Sequence, residues 1–251
     1  MNRNSLLLVA VFAAAMALNI DAQAQKKGAL QENPAAPASV RVDGNLSEWD
    51  PGRFTAHEDT RISYLVSNDD RNLYLAVRSA DRDKISKMVT RGITLTVNTD
   101  GKKKAGPSVT FPAGRVPGAA AGKPADPGQA LRSRLSTARE IRITGMKSIR
   151  DGGISTENEY GILAAGDLDS AMTFACELAI PLDQLGLTPA SDSPLAIGIR
   201  INGIVPPRIQ AGPRSPYESM RRGGYGRAAA FPEGLQPEEF WIRRTLTTQT
   251  Q

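Results

Sequence analysis

Five stretches of the chain alternate apolar and polar or small side chains with a period of two, and this alternation limits the fold more than any other feature. They are residues 62–66, 73–77, 93–97, 172–180 and 195–201. In a strand successive side chains point to opposite faces, so each stretch presents one apolar face for burial. Residues 62–66 and 73–77 are separated by Asn68-Asp69-Asp70-Arg71-Asn72 and predict a β-hairpin with a five-residue loop. The third stretch stops at Thr99-Asp100-Gly101, which is turn chemistry, and the fifth starts after Pro194. Weaker strand candidates cover 140–144, 159–163 and 239–246, and helical periodicity is confined to short pieces at 84–89 and 182–185. Many strands and almost no helix predict an all-β fold: a two-sheet antiparallel β-sandwich of the jelly-roll or immunoglobulin-like kind.

Two segments interrupt the pattern. Residues 105–128 are rich in Gly, Pro and Ala, and 206–234 carry Arg208, Arg214, Arg221, Arg222 and Arg227 among prolines and glycines. Both read as long loops. The low complexity of the first predicts disorder, whereas the second also holds Tyr217 and Tyr225 and leads into a strand bearing Trp241.

At the amino end, Asn2 and Arg3 precede an apolar run from Leu6 to Leu18, with Ala22-Gln23-Ala24 just before a polar stretch. This is the pattern of a secretory signal peptide over residues 1–24. The run is too short for a transmembrane helix, and no later segment is apolar enough for one. Residues 25–37 read as a flexible leader, 38–247 as a single domain whose first structural signal is Ala38-Ser39-Val40-Arg41-Val42, and 248–251 as a tail. Export to the periplasm or cell surface of a bacterium follows as the expectation. The one cysteine, Cys176, rules out an internal disulfide and alternates onto an apolar face with Phe174 and Leu178. A net charge of +5 serves solubility, and no aromatic-plus-basic motif points to nucleic acid.

Three motifs, in order, are similar to the family 9 carbohydrate-binding modules. Val42-Asp43-Gly44-Asn45-Leu46-Ser47-Glu48-Trp49 resembles the family's opening signature, and Ser67-Asn68-Asp69-Asp70-Arg71-Asn72-Leu73-Tyr74-Leu75-Ala76-Val77 its hairpin. Cys176-Glu177-Leu178-Ala179-Ile180-Pro181-Leu182 with Leu185-Gly186-Leu187 resembles its strand-to-turn. Read from the residues, Asp43-Gly44 turns the chain, Trp49 packs as an anchor, Asn72 and Tyr74 belong to the hairpin, and Pro181 ends ladder pairing. The resemblance implies a non-catalytic carbohydrate-binding β-sandwich that grips sugars by aromatic stacking and polar contacts. It also implies that structural calcium is compatible with the fold, although no ligand set can be assigned, and no other cofactor is expected. The chain's two tryptophans do not map onto the family's stacking pair, because Trp49 lies in the structural motif.

Trp241 is the leading site candidate, since Phe240, Ile242 and Leu246 would face inward and leave Trp241 and Arg243 outward. The bland alternative is that Trp241 merely covers the sheet. Tyr217, Tyr225, Arg221 and Arg222 would form a lid over it, or else a solvated loop. A second functional reading is a cell-envelope interaction protein whose Arg/Gly-rich loop meets an acidic partner, which the low aromatic content of 5% favours. Three oxygen-rich clusters, 68–70, 81–83 and 98–101, lack EF-hand spacing and read as turns. Catalysis is not expected. His57 is the only histidine, read as a surface residue in a polar turn, and no nucleophile elbow accompanies it. The acid pairs Asp167 with Asp169 and Glu238 with Glu239 read as turn and strand-entry residues.

Overall fold

A computed structural model describes residues 30–114, 126–204 and 234–248. The fold is an all-β sandwich of two sheets. Twelve strands, β1 to β12, are Gln31–Glu32, Thr55–His57, Ile62–Asn68, Asn72–Ser79, Ile93–Asn98, Ser108–Phe111, Glu140–Thr144, Gly152–Ser155, Leu163–Leu168, Phe174–Pro181, Leu195–Ile201 and Glu238–Thr245. The larger sheet runs β1-β12-β11-β5-β6-β7-β8 and the smaller β2-β3-β4-β10-β9. All pairings are antiparallel except that of β1 with β12.

The alternating faces meet as their period requires. Ile62, Tyr64, Val66, Leu73, Leu75 and Val77 of the smaller sheet pack against Ile93, Leu95, Val97, Ile197 and Ile199 of the larger. Helix α1 (Arg82–Arg91) links the sheets and buries Ile85, Met88 and Val89 in the core. It is longer than the 84–89 periodicity because its ends are chemically marked. Asp81 Oδ1 accepts from the N–H groups of Asp83 and Lys84, while Gly92, at φ +82°, donates its N–H to Met88 O. Helix α2 (Pro127–Ser136) packs beside it, and Arg134 donates to the carbonyls of Val89 and Thr90 at the end of α1.

The structure departs from the sequence expectations in several places. Within 105–128, β6 is an interior strand of the larger sheet and residues 127–128 begin α2, so the described part of this segment is ordered structure. Its flanking Gly and Pro hid a strand only four residues long. Of residues 159–163 only Leu163, the first residue of β9, lies in a strand; the pairing falls on β8 and β9. The hairpin turns more tightly than a five-residue loop, because Asn68 and Asn72 both lie within strands and Asp69 N–H reaches Asn72 O at 3.1 Å.

Residues 38–42 join no ladder; Val40 and Val42 instead pack on the outer face of the smaller sheet. Residues 30–37 belong to the domain rather than to a leader. Gln31 and Glu32 pair with β12, Ala35 bridges Asn68, and Asn33 and Ala36 are buried. Asn68 fastens this segment by accepting from Asn33 Nδ2 and donating to Thr247 O, which joins the two ends of the described chain. The expected signal peptide at 1–24 lies outside the described residues. No helix among the described residues is long and apolar enough to cross a membrane.

Candidate functional site

The outer face of the larger sheet is built by the polar half of the alternation. Its strands place Trp241, Gly198, Thr96, Ser108 and Thr144 side by side in one transverse row, and Glu239, Arg200, Thr94, Thr110 and Arg142 in the next. Trp241 and Arg243 share the outward face of β12, while Phe240 and Ile242 pack on the core. The half-buried indole of Trp241 lies across Gly198. A Cβ at position 198 would stand 2.9–3.0 Å from ring atoms Cζ2, Cε2 and Cη2. Only glycine allows the ring to approach the strand this closely.

Beside the ring the polar groups are linked. Thr94 and Thr110 hydroxyls are 2.7 Å apart, and Asn202 Nδ2 donates to Thr94 Oγ1 at 2.9 Å. Arg200 Nε is buried with no hydrogen-bond partner among the described residues. The face therefore offers an aromatic ring against the sheet, a row of hydroxyl-bearing side chains and three arginines, Arg142, Arg200 and Arg243. An aromatic ring can stack on the C–H face of a pyranose while hydroxyl and guanidinium groups meet its oxygens. Tyr217, Tyr225, Arg221 and Arg222 lie outside the described residues. Between the described residues that follow β11 and those that precede β12, Ile204 N–H donates to Leu235 O at 2.7 Å.

The residues of the three motifs converge on the opposite side of the molecule, on the outer face of the smaller sheet. Glu177 is buried there between Ala175 and Ala179 of β10. Its Oε1 accepts from Trp49 Nε1 at 2.7 Å, and its Oε2 from Gly44 N–H at 2.9 Å and Asp43 N–H at 3.2 Å. Burial raises the Glu177 carboxyl above its ordinary value, against the opposing pull of the Trp49 and backbone N–H donors. Trp49 also meets Tyr74 edge to face at 5.8 Å, and the Tyr74 hydroxyl donates to Asp69 Oδ2 and accepts from Asn72 Nδ2. Burial pushes the Tyr74 hydroxyl up to about 12, and the hydrogen bond to Asp69 adds to the shift. Pro181 closes the ladder opposite Asn72. The motif residues thus clamp the loop at 36–54 onto the sheet, as structural residues. Glu177 was legible as part of a motif but not as its hub; the signal was a lone acid between two alanines on one face of a strand.

The other candidates resolve into structural chemistry. In the oxygen-rich turns, Asp69 Oδ1 accepts from Arg71 and Asn72 N–H, Asp81 caps α1, and Asn98 Oδ1 accepts from Asp100 and Lys102 N–H. Asp169 Oδ1 accepts from Thr173 N–H at 2.7 Å. His57 is half-buried at the end of β2 rather than free in a polar turn: its ring stacks on Phe240 with centroids 3.9 Å apart, and Nδ1 meets Thr60 Oγ1 at 2.9 Å. Periodicity could not show this contact, because it joins strands of different sheets, β2 and β12. Cys176 is buried, and its thiol is pushed well above the ordinary value by that burial.

Glu238 is more than a strand-entry residue. It accepts from Lys87 Nζ at 2.6 Å and from Lys84 Nζ, and Lys87 also donates to Gln236 O, which pins the start of β12 to α1. Desolvation alone would raise the Glu238 carboxyl, but the two lysines outweigh it and hold it below its ordinary 4.5. Below that value the unfolded chain then binds more protons than the folded one, so this contribution is present above pH 4.5 and lost as pH falls through the lowered value. Lys87→Met should therefore weaken the acid-side loss of stability, measured by urea unfolding at a series of pH values. An acid limb as steep as in the parent would contradict this role.

A scan against family models and a search of curated proteins find no match to the chain.

Proposed function

We propose that the chain is an exported, non-catalytic carbohydrate-binding domain of the family 9 type, which holds a poly- or oligosaccharide against the outer face of its larger sheet. The observation that carries this reading is the indole of Trp241 laid over Gly198 at the head of the row Thr96, Ser108 and Thr144. A ring in this position has one face on the sheet and the other turned outward, which is the arrangement that stacking on a sugar requires. Arg200 and Arg243, two residues along their strands from Gly198 and Trp241, would meet sugar oxygens. A non-catalytic role is supported by the employment of two acids: buried Glu177 holds the motif loop and half-buried Glu238 binds two lysines.

The test is a glycan array with residues 25–251 at low and high salt, followed by variants on any hit. Trp241→Ala should lower affinity by about tenfold or more, because a central aromatic contact is worth on the order of 2 kcal/mol. Gly198→Val should do the same while leaving the fold intact, since it lifts the ring without touching the core. Binding that survives both variants, or only anionic glycans that salt removes, would rule out the stacking model and favour an arginine-driven contact.

A further inference from the structure

The edge of the smaller sheet carries a pocket of about 620 Å³ whose lining does not include the Trp241 face. Ala56, Glu58, Arg61, Ser63, Arg78 and Thr173 are among its lining residues. Ladder register explains its shape: Ala56, Ser63, Arg78 and Ala175 lie side by side across β2, β3, β4 and β10, so Arg78 rises from a floor of small side chains.

Three observations distinguish Arg78 from a solvated surface arginine. Its guanidinium carbon lies over the ring of Phe54, 4.4 Å from the centroid, a cation–π contact that restrains the side chain. Its one protein hydrogen bond among the described residues is a long one, 3.5 Å to Pro51 O. No carboxylate among the described residues lies within 4.0 Å of it, whereas the neighbouring Arg61 is already held by Asp81 at 2.8 Å. Asp81 is in turn occupied as the cap of α1, and Arg61 and Asp81 thus neutralise each other. That leaves Arg78 as the pocket's guanidinium without a carboxylate partner among the described residues, beside hydroxyl groups and one carboxylate, Glu58.

We infer that this pocket binds a monosaccharide-sized hydroxy-carboxylate, with its carboxylate on Arg78 and its hydroxyls on Ser63, Thr173 and Glu58. The planar guanidinium matches a carboxylate in a bidentate manner, and a pocket of several hundred Å³ suits a ligand of this size. Glu58 suits the assignment because a carboxylate accepts from sugar hydroxyls, and it disfavours a ligand that is only an anion. The site does not depend on the Trp241 face, and either can stand without the other.

Isothermal titration of residues 25–251 with glucuronate, glucose and sulfate tests the inference. Glucuronate should bind, with glucose and sulfate each at least about tenfold weaker, since a charge-assisted bidentate pair contributes about 1.5–3 kcal/mol. Arg78→Gln should abolish the difference between glucuronate and glucose, while Trp241→Ala should leave it unchanged. Because Arg78 also packs on Phe54, Ser63→Asp supplies an independent check: it places a carboxylate directly across the ladder from Arg78 and should block glucuronate without disturbing the stack. Equal binding of glucose or sulfate, absence of glucuronate binding, loss of the preference in Trp241→Ala, or a preference that survives both pocket variants would overturn the assignment.

Discussion

Replacing Glu177 by alanine should destabilise the domain by about 3–4 kcal/mol, measured by urea unfolding at neutral pH. The variant leaves two buried N–H donors, on Trp49 and Gly44, with no acceptor, while the Asp43 N–H keeps the Arg41 carbonyl at 3.1 Å. Each orphaned donor costs about 1–3 kcal/mol, partly offset because a buried carboxylate no longer has to be desolvated. Glu177→Gln should cost about half as much. Its single carbonyl oxygen can serve either Trp49 Nε1 or the backbone pair, and in both orientations the amide NH2 faces a donor. Equal losses for the two variants would mean that side-chain volume matters here and hydrogen bonding does not.

Gly44→Ala should cost about 2–4 kcal/mol, while Gly186→Ala should cost only about 1. Both glycines hold a left-handed backbone, at φ +88° and +70°. They differ in their surroundings. A Cβ on Gly44 would lie 2.8 Å from the carbonyl carbon of Gly166 and 2.9 Å from the nitrogen of Asp167, both backbone atoms of β9, whereas nothing lies within 4 Å of one on Gly186. The first variant therefore adds a clash with a strand that cannot yield to a penalty the two share. If thermal unfolding showed the two losses to be equal, the close approach of the motif turn to β9 would carry no energetic weight. A double variant whose loss falls short of the sum of the Gly44→Ala and Glu177→Ala losses would mark the turn and the carboxylate as one cooperative clamp.

Much of the strand inventory was legible because it is a local property. The alternations at 62–66, 73–77, 93–97, 172–180 and 195–201 fall on β3, β4, β5, β10 and β11. Those runs are long enough for the period of two to stand out. By contrast, Ser108–Phe111 offers two apolar residues between prolines, too few to signal a strand, and α2 has little apolar periodicity to display. Of the candidate site, the outward placement of Trp241 and Arg243 follows from alternation along β12. Gly198 could have been read as well, since a glycine inside an apolar strand marks close approach, but which group approaches it depends on the ladder. Arg78 gave no signal, because its character comes from Phe54, from small neighbours on three other strands and from the engagement of Asp81 elsewhere.

The sequence by itself determined that the chain forms a two-sheet β-sandwich and that Trp49 and Cys176 are buried, since periodicity acts over a few residues. Only the tertiary structure decided the strand order, the service of Glu177 to a loop 133 residues earlier in the chain, the stacking of His57 on Phe240 and the gathering of a pocket around Arg78. These are contacts between segments far apart in the chain. They arise when whole faces are buried together, and no local pattern encodes which distant residue will stand opposite.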